Sequence, residues 1–513
     1  MREKEKIIAY DLGTGGIKAS LFDVAGKSYA HIFRAYDTRY EEGDIHEQRP
    51  DDWWEGIVET TKLLLGNTGV SGQEIVGVAI SGHSLGVVPI DRDGNLLREY
   101  TPIWSDKRAK KEAEAFFKSI PYEQWYMTTG NGFPAECYSL FKIMWYRDHE
   151  PDMYERTYKI LGSKDYCNFR MTGRCCTDYS YASGCGAYSL KKHEYVSAYI
   201  QAAAVKESLF PEILYSHDVV GTMLPEAAAE LGLSTETKVI CGGVDNSCMS
   251  LGARATQDGR TYVSLGSSSW IAVASEEPIL DAKQRPYVFE HCIPGYYISS
   301  TSIFSAGNSF RWVRDVICPD LVEKEKSGEI KDAYDAMNEM IVQSPIGAKH
   351  LLFNPSLAGG SMIEDSPDIC GAYAGLNLGH TRNDLVRAAM EGITFNLCYA
   401  MNILKKYHTD IPELLLVGGG SKSRIWRQMF ADIFNMKIIK TVIDQDAASL
   451  GAAALVAYGL GYWNSYDCMD QLHVIESVEE PNAENVAQYS KMYEIHRKLA
   501  HDMSDVGSTL TKL

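Results

Sequence analysis

The sequence predicts an α/β fold built as two related halves. Short apolar runs at residues 76–80, 239–241 and 414–417 end in the polar, glycine-rich turns Ser81-Gly82-His83, Gly242-Gly243-Val244-Asp245 and Gly418-Gly419-Gly420. That is how buried strands deliver loops to one end of a sheet. Helical periodicity fills the intervals, as at residues 51–65 and 381–404, and alternation of the two patterns is the mark of an α/β architecture. The chain also echoes itself. Tyr10-Asp11-Leu12-Gly13-Thr14-Gly15 and Val263-Ser264-Leu265-Gly266-Ser267-Ser268 each read as a strand, a Leu-Gly-hydroxyl turn and a second strand, at 17–22 or 270–274. A chain of 513 residues exceeds one ordinary core, so the echo is read as two domains, 1–252 and 253–513, with a ligand held in the cleft between them.

In chain order, the first strand pair is followed by Gly26-Lys27-Ser28, which imitates the end of a phosphate loop. Leu21 stands where that motif needs its first glycine, so the tripeptide is read as the turn into a third strand. The helix at 51–65 and the strand at 76–80 follow. The strand at 239–241 leads through its turn into a small-residue helix over 247–255, and the second strand pair opens the second half. After the helix at 381–404 and the strand at 414–417, another helix starts near Ile425. Asp446-Ala447-Ala448-Ser449-Leu450-Gly451-Ala452-Ala453 is a helix with so many small side chains that it is expected to pack closely on its neighbours. Glu391 reads as a support for a loop, and the acidic stretch 476–484 as a solvated segment.

Composition narrows the function. With 68 acidic against 50 basic residues the net charge is -18, the wrong sign for coating nucleic acid. A small metabolite is the expected partner. The start of the chain, residues 1–6, is charged, and Asp11 interrupts the apolar run behind it, so no signal-peptide core is expected. The longest apolar helical stretch, 450–460, falls short of the about 18 residues a membrane span requires. Twelve cysteines without a C-x-x-C pair, two of them the adjacent Cys175 and Cys176, read as reduced thiols of a cytoplasmic protein. H-E-x-x-H and a dinucleotide-type G-x-G-x-x-G are absent, which removes support for metalloprotease and dehydrogenase readings.

The chemistry-bearing residues sit in the turns. Gly13, Thr14, Gly15 and Gly16 let several backbone N–H groups point at one spot without Cβ interference, a spot suited to phosphate, to which Thr14 adds a hydroxyl and Lys18 a cation. Asp11 would repel phosphate oxygens, but it suits a hydrated Mg²⁺ that bridges them. Gly266-Ser267-Ser268-Ser269 offers hydroxyls and backbone donors with no carboxylate, either a plain hairpin or the opposite jaw of a phosphate clamp. Asp245 is either a helix cap or a base aimed into the cleft. Gly418, Gly419 and Gly420 would let a flat adenine or ribose lie against the backbone.

These motifs occur in the order and spacing of the FGGY carbohydrate kinases, which the chain resembles over about residues 7–460. Lys142-Ile143-Met144-Trp145 with Asp148-His149 is similar to that family's first signature, with Tyr146 where an aliphatic residue or Phe is usual. Gly371-Ala372-Tyr373-Ala374-Gly375-Leu376, followed after seven residues by Asp384-Leu385-Val386-Arg387-Ala388-Ala389-Met390-Glu391-Gly392, resembles the second throughout. Trp104-Ser105-Asp106-Lys107-Arg108, Lys164-Asp165-Tyr166 with Arg170-Met171-Thr172-Gly173, and the stretch from Gly420 to Met429 resemble the xylulokinase-like branch. One departure bears on substrate: the branch usually reads Gly-Gln-Met-His-Gly beside the sugar, and this chain reads Gly82-His83-Ser84-Leu85-Gly86, with Leu85 in place of the sugar-contacting His.

The resemblance implies two actin-like, ribonuclease-H-like domains, ATP and Mg²⁺, a sugar bound mainly by the first domain, and a possible homodimer. Asp245 would accept the proton of the attacking sugar hydroxyl. Asp11 would hold Mg²⁺; Gly13, Thr14, Gly15, Lys18, Gly266, Ser267, Gly419, Gly420, Ser421 and Arg424 would hold the nucleotide; His83, Ser84, Trp104, Asp245 and Asn246 would bind the sugar. D-xylulose is the first substrate to expect. Ribulose, apulose, erythrulose or an autoinducer-type polyol is the alternative, and a non-catalytic sensor on the same fold is the alternative of another class. Glycerol is disfavoured, since the arginine and glutamate that glycerol kinases use near position 84 are missing.

Overall fold

The computed structural model of the protein describes residues 5–408, 410–444 and 446–513; most of the charged start, residues 1–4, lies outside them. The chain forms two compact units. The first comprises Met1–Asp258, Ala274–Ser299 and Asp446–His473, the second Gly259–Val273, Ser300–Gln445 and Val474–Leu513.

In the first unit β1 (Lys6–Gly13), β2 (Gly16–Asp23) and β3 (Ser28–Ala35) form an antiparallel meander, with Gly26 (φ 94°) in the turn from β2 to β3. β1 pairs parallel with β4 (Ile75–Gly82). β6 (Lys238–Ile240) pairs parallel with β4 and antiparallel with β5 (Val219–Thr222), giving the order β5-β6-β4-β1-β2-β3. Register fixes the chemistry: Asp11 lies opposite Lys18 on one side and Ser81 on the other, and Gly13 opposite Gly16. Because side chains alternate between faces, Tyr10 and Ile17 face the helix Pro50–Thr68, where the Tyr10 hydroxyl meets Thr61 Oγ1 at 2.7 Å. Asp11 and Lys18 face the other way, and Lys18 reaches Asp446 there. The helix Pro50–Thr68 has local reasons to form where it does. It opens with proline and carries Asp51 and Asp52 in its first turn, favourable at the positive end of the helix dipole, and it stops at Gly69 in the left-handed conformation.

The opposite face of the sheet is covered by the helix Ala447–Gly459. Its small residues pack as closely as the sequence suggests. A Cβ on Gly451 would fall 2.0 Å from the Cys248 carbonyl oxygen, and one on Gly252 would fall 1.7 Å from that of Ala447. Beside this sheet lies an aromatic core of Phe116, Trp125, Tyr138, Phe141 and Tyr146. Tyr146, the departure in the first signature, fits there because its hydroxyl donates to the Val87 carbonyl at 3.0 Å.

The second unit repeats the strand-turn-strand device. β7 (Thr261–Leu265) pairs antiparallel with β8 (Ser269–Ser275) and parallel with β9 (Glu413–Val417), which pairs parallel with β10 (Lys437–Thr441). β10 also pairs antiparallel with β11 (Ile475–Glu479). That last strand corrects the reading of 476–484 as a solvated segment at one residue, Glu479, while the rest of the stretch is exposed or half-exposed. Its first four residues belong to a sheet edge, and alternation turns Glu479 inward, where it is buried and ion-paired with Arg427 at 3.1 Å. Glu391 supports a loop as expected, its Oε1 accepting the Gly347 amide, Arg387 Nε and the Tyr489 hydroxyl. All twelve cysteines are free, and among the described residues no helix is long and apolar enough to cross a membrane.

Candidate active site

The turn between β1 and β2 consists of Thr14 and Gly15 alone, and its shape is fixed from outside. A Cβ on Gly16 (φ 155°) would lie 2.5 Å from the Arg34 carbonyl oxygen, so only glycine fits. A Cβ at Gly15 would meet nothing within 4 Å, the open space in front of the turn. Behind it, Tyr36 donates to the Gly13 carbonyl and Gln48 Nε2 to that of Thr14 at 2.7 Å, while Trp104 Nε1 donates to Thr14 Oγ1 at 2.8 Å. Trp104 is thus tied to the turn between β1 and β2 by its polar edge, with its ring partly exposed.

Asp11 stands just before this turn. Ser81 Oγ donates to its Oδ1 at 3.1 Å. Burial raises its pKa; Lys18 and the Ser81 hydrogen bond oppose this, and the charge of Asp446 adds to it. Lys18, expected at phosphate, is engaged with Asp446 Oδ1 at 3.1 Å. It stands as a cation between two carboxylates that would otherwise repel.

Asp245 begins the helix Asp245–Gly252, two residues earlier than the sequence suggests. The cap position falls on Val244, which makes no side-chain cap, so the capping reading of Asp245 fails. Its Oδ1 takes only the neighbouring Asn246 amide, at 2.8 Å. Burial pushes its pKa up to about 7, the Asn246 amide pulls against this, and Asp11 pushes further in the same direction. A carboxylate titrating near neutrality is suited to accepting a proton at physiological pH. Asn246 follows it, partly exposed.

His83, Ser84 and Leu85 are all buried. The His83 ring meets Trp53 edge-on at 5.3 Å between centroids, and neither ring nitrogen makes a hydrogen bond of good geometry with a described protein atom. Burial pushes its pKa down to about 4, so the imidazole is neutral at pH 7. Leu85 adopts a left-handed backbone (φ 61°) and belongs to the aromatic core. A buried lysine, the first residue of the first signature, shapes this segment. Lys142 Nζ donates to the carbonyls of Leu85 at 3.1 Å and Ile103 at 2.6 Å, which fixes the segment carrying Ser84 to the one carrying Trp104. Burial lowers its pKa to about 8.

The second unit holds a cavity of about 860 Å³. Gly266 and Ser267 line one side of it and Gly419 and Gly420 another. Gly420 lies so close to Leu265 that a Cβ would sit 2.3 Å from its Cδ2. The Gly266 carbonyl accepts the Gly307 amide at 3.0 Å, and Arg311 donates to Ser267 Oγ at 2.9 Å. Ser421 and Arg424 do not line this cavity: Ser421 is buried beneath the turn, and Arg424 is exposed at the start of the next helix. Lys422, Ser423 and Trp426 line it instead, with Arg311, Arg314, Lys331, Tyr334 and Asn338. Those last five come from elements with no glycine-rich turn to advertise them, and so carry no motif signal.

The family models for the N-terminal and C-terminal domains of the FGGY family of carbohydrate kinases match residues 6–252 and 261–460. The xylulose kinase of Bacillus subtilis is 30% identical over 505 residues, 98% of this chain and 98% of that protein. Two solved structures from Lactobacillus acidophilus, a ligand-bound xylulose kinase and a gluconate kinase, each superpose with a TM-score of 0.89 at 24% identity. Both cover 99% of this chain, and 100% and 99% of their own. Two glycine-rich strand turns, a carboxylate beside one of them and a large cavity beside the other therefore belong to an ATP-dependent sugar kinase with the two-domain actin-like fold, and the chain is a member of the FGGY family of carbohydrate kinases.

Proposed function

We propose that this kinase transfers the γ-phosphate of ATP to a hydroxyl of a ketopentose-like sugar, with D-xylulose the first candidate, and that Asp245 is its base. The observation that carries the proposal is the environment of Asp245: a carboxylate at the end of a buried turn, within the field of Asp11, with its pKa raised to about 7. In phosphoryl transfer the transition state is loose, so the base mainly orients the hydroxyl while charge stabilisation and positioning supply most of the rate. Asn246, Ser84 and His83 would bind sugar hydroxyls and Trp104 would wall the sugar. His83, neutral and without a firm partner, can donate through one nitrogen and accept through the other.

For the nucleotide, Gly13, Thr14, Gly15, Gly266 and Ser267 would hold phosphates, and the cavity beside Gly419 and Gly420 would take the base and ribose. The donor set around Asp11 fits Mg²⁺, which takes one or two carboxylates and keeps several waters. A single buried carboxylate with raised pKa is stabilised by such a cation. Bound there, Mg²⁺ would supply charge neutralisation on the ATP phosphates. A cytoplasmic setting is supported by twelve unbridged cysteines. We also propose residues 1–252 and 253–513 as the two duplicated halves, and a homodimer as the working oligomer.

A second reading is favoured by Leu85: the branch's sugar-contacting His is replaced by a side chain turned into the aromatic core, so another ketose or a polyol of similar size is the alternative. The test is coupled ADP release with Mg-ATP against D-xylulose, L-xylulose, D- and L-ribulose, erythrulose, apulose, gluconate, glycerol and hexoses, with Asp245→Ala as control. One strong sugar whose turnover Asp245→Ala abolishes supports the proposal. ADP release from the best sugar that survives Asp245→Ala removes Asp245 as base, and a best hit outside the ketopentoses removes the substrate class.

A further inference from the structure

The backbone that presents Asp245 is held, residue by residue, by a buried charged cluster that plays no part in the chemistry described above. Lys164, Asp165 and Asp178 are each at most 1% exposed. Lys164 Nζ lies 2.6 Å from Asp165 Oδ1 and 2.9 Å from Asp178 Oδ1. From this cluster two arms reach the turn. One is Lys164 itself, whose Nζ also donates to the Cys241 carbonyl at 3.3 Å, where Asn168 Nδ2 joins it at 2.8 Å. The other runs through Asp178 Oδ2, which accepts the hydroxyls of Ser180 and of Ser216, the latter at 2.6 Å. The Ser180 oxygen in turn accepts the Val244 amide at 2.9 Å. Val244 is the residue immediately before Asp245.

Between the two anchored residues the chain has no room to move. A Cβ on Gly242 (φ 75°) would sit 2.2 Å from the Ile80 carbonyl oxygen, and one on Gly243 would sit 2.5 Å from Cys292 Sγ and 3.2 Å from Ser180 Oγ. Gly243 and Val244 are also registered against Ser81 and Gly82 at the end of β4, and Ser81 is the residue that donates to Asp11. Stability alone does not call for such a cluster, because apolar residues of equal volume commonly replace a buried ion pair without loss. What a densely bonded buried network supplies is a fixed backbone trace.

We propose that Ser180, Asp178 and Lys164 act as a positioning relay that sets the direction of the Asp245 carboxylate, Ser180 being its contact with the turn. The inference rests on Asp245 being the base. It assigns to the Lys164-Asp165 pair and to Asp178 and Ser180 a role in turnover, distinct from sugar or nucleotide binding. Misplacing a reacting group by about 1 Å costs on the order of 10²-fold in rate, so loss of the Ser180 acceptor acts on kcat while leaving both binding sites formed.

The test uses the full-length protein carrying Ser180→Ala, Asp178→Asn, the two together, Ser183→Ala and Asp245→Asn. Ser183 is the control for lost buried hydroxyls. It lies in the same short helix, is equally buried, and bonds the Ser180 carbonyl and the Glu290 amide with no bond to the turn. Steady-state rates are taken with the most active ketose of the panel, D-xylulose in the first instance, and MgADP binding is followed by calorimetry. Ser180→Ala and Asp178→Asn are each expected to lower kcat at least tenfold relative to Ser183→Ala, with the sugar KM and the MgADP affinity within threefold of the parent. The double variant is expected to be no worse than the poorer single one within threefold, since the two residues act in series. A Ser180→Ala protein whose kcat stays within tenfold of Ser183→Ala overturns the relay, as does a rise in KM that matches the loss, or losses that multiply in the double variant. If Ser180→Ala does not bind MgADP, Asp178→Asn decides by the same criteria. Asp245→Asn separates the two readings. If it still turns over, the base assignment fails and the relay with it; if it is inactive while Ser180→Ala matches Ser183→Ala, only the relay fails.

Discussion

Replacing Asp245 by asparagine should make the protein more stable at the same time as it removes activity. The folded-state pKa of Asp245 is raised from 3.8 to about 7, a difference of about 3 units, and each unit is worth about 1.36 kcal/mol. The sign follows from proton linkage. Between pH 4 and 7 the native carboxyl holds a proton that the unfolded chain has released, so the native state loses ground as pH rises through this window and carries the full penalty above it. At pH 8 the penalty is about 4 kcal/mol as a ceiling, because Asp245 is partly reached by solvent; at pH 4 it falls below about 1 kcal/mol. Asparagine has nothing to ionise and escapes it. Scanning calorimetry of parent and Asp245→Asn at pH 8, 6 and 4 should give a first-unit transition raised by roughly 5 °C at pH 8, with the gap closing towards pH 4. Sugar-dependent ADP release should fall by roughly 10² to 10⁴-fold. A variant no more stable than the parent at pH 8, or one whose advantage is the same at pH 4, would refute the claim that burial raises this carboxyl.

Three further expectations come from the same site and its packing. For the parent enzyme, kcat/KM against pH should rise along an acid limb with its midpoint near 7, because the base must be ionised to accept a proton; a limb centred near 4 would mean that Asp245 ionises as an ordinary aspartate. Asp11→Asn should move the Mg²⁺ concentration for half-maximal rate upward by tenfold or more while leaving the sugar KM within threefold, and an unchanged Mg²⁺ titration would remove Asp11 as the ion's ligand. Gly252→Ala places a methyl 1.7 Å from the Ala447 carbonyl oxygen, an overpacking expected to cost about 3 kcal/mol, so its urea midpoint should fall; an unaltered midpoint would mean that the two helices part freely.

Much of the fold is legible in the sequence because this chain places its strand ends and its chemistry in the same glycine-rich turns. Gly16, Gly242 and Gly420 each sit where a Cβ would strike backbone or core atoms, so the composition of these turns reports geometry directly. Alternation decides faces, but only when register is known. From sequence alone Lys18 can point either way; the pairing with Asp11 puts it on the carboxylate's face, and Asp446, more than four hundred residues further along, engages it there. The same limit hid what Lys142 and Ser180 hold: Lys142 grips the Leu85 and Ile103 carbonyls and Ser180 the Val244 amide, all in distant segments that leave no local spacing. Glu479 was misread for a related reason: a run of acidic residues looks solvated until a neighbouring strand and Arg427 claim one side of it. In the second unit, Arg311 and Asn338 reach the cavity from helices whose residue patterns speak only of packing.

The helix Ala447–Gly459 covers one face of the sheet that begins at Lys6, with more than four hundred residues of chain between them. A ribosome emits the chain from its amino terminus, so β1, β2 and β4 emerge long before the segment that shields them. Until about residue 460 is out, Gly77, Gly252 and Cys248 present an unoccupied apolar groove to the cell. Long-range closure of this kind slows folding and lengthens exposure to aggregation. Nascent chains halted at residue 440 should therefore bind a holdase chaperone that chains halted beyond residue 500 release; equal binding at both lengths would mean that the early sheet needs no late cover. On this view the final eighth or so of the gene also serves as a checkpoint on synthesis, since a truncated product leaves its opening sheet unsealed.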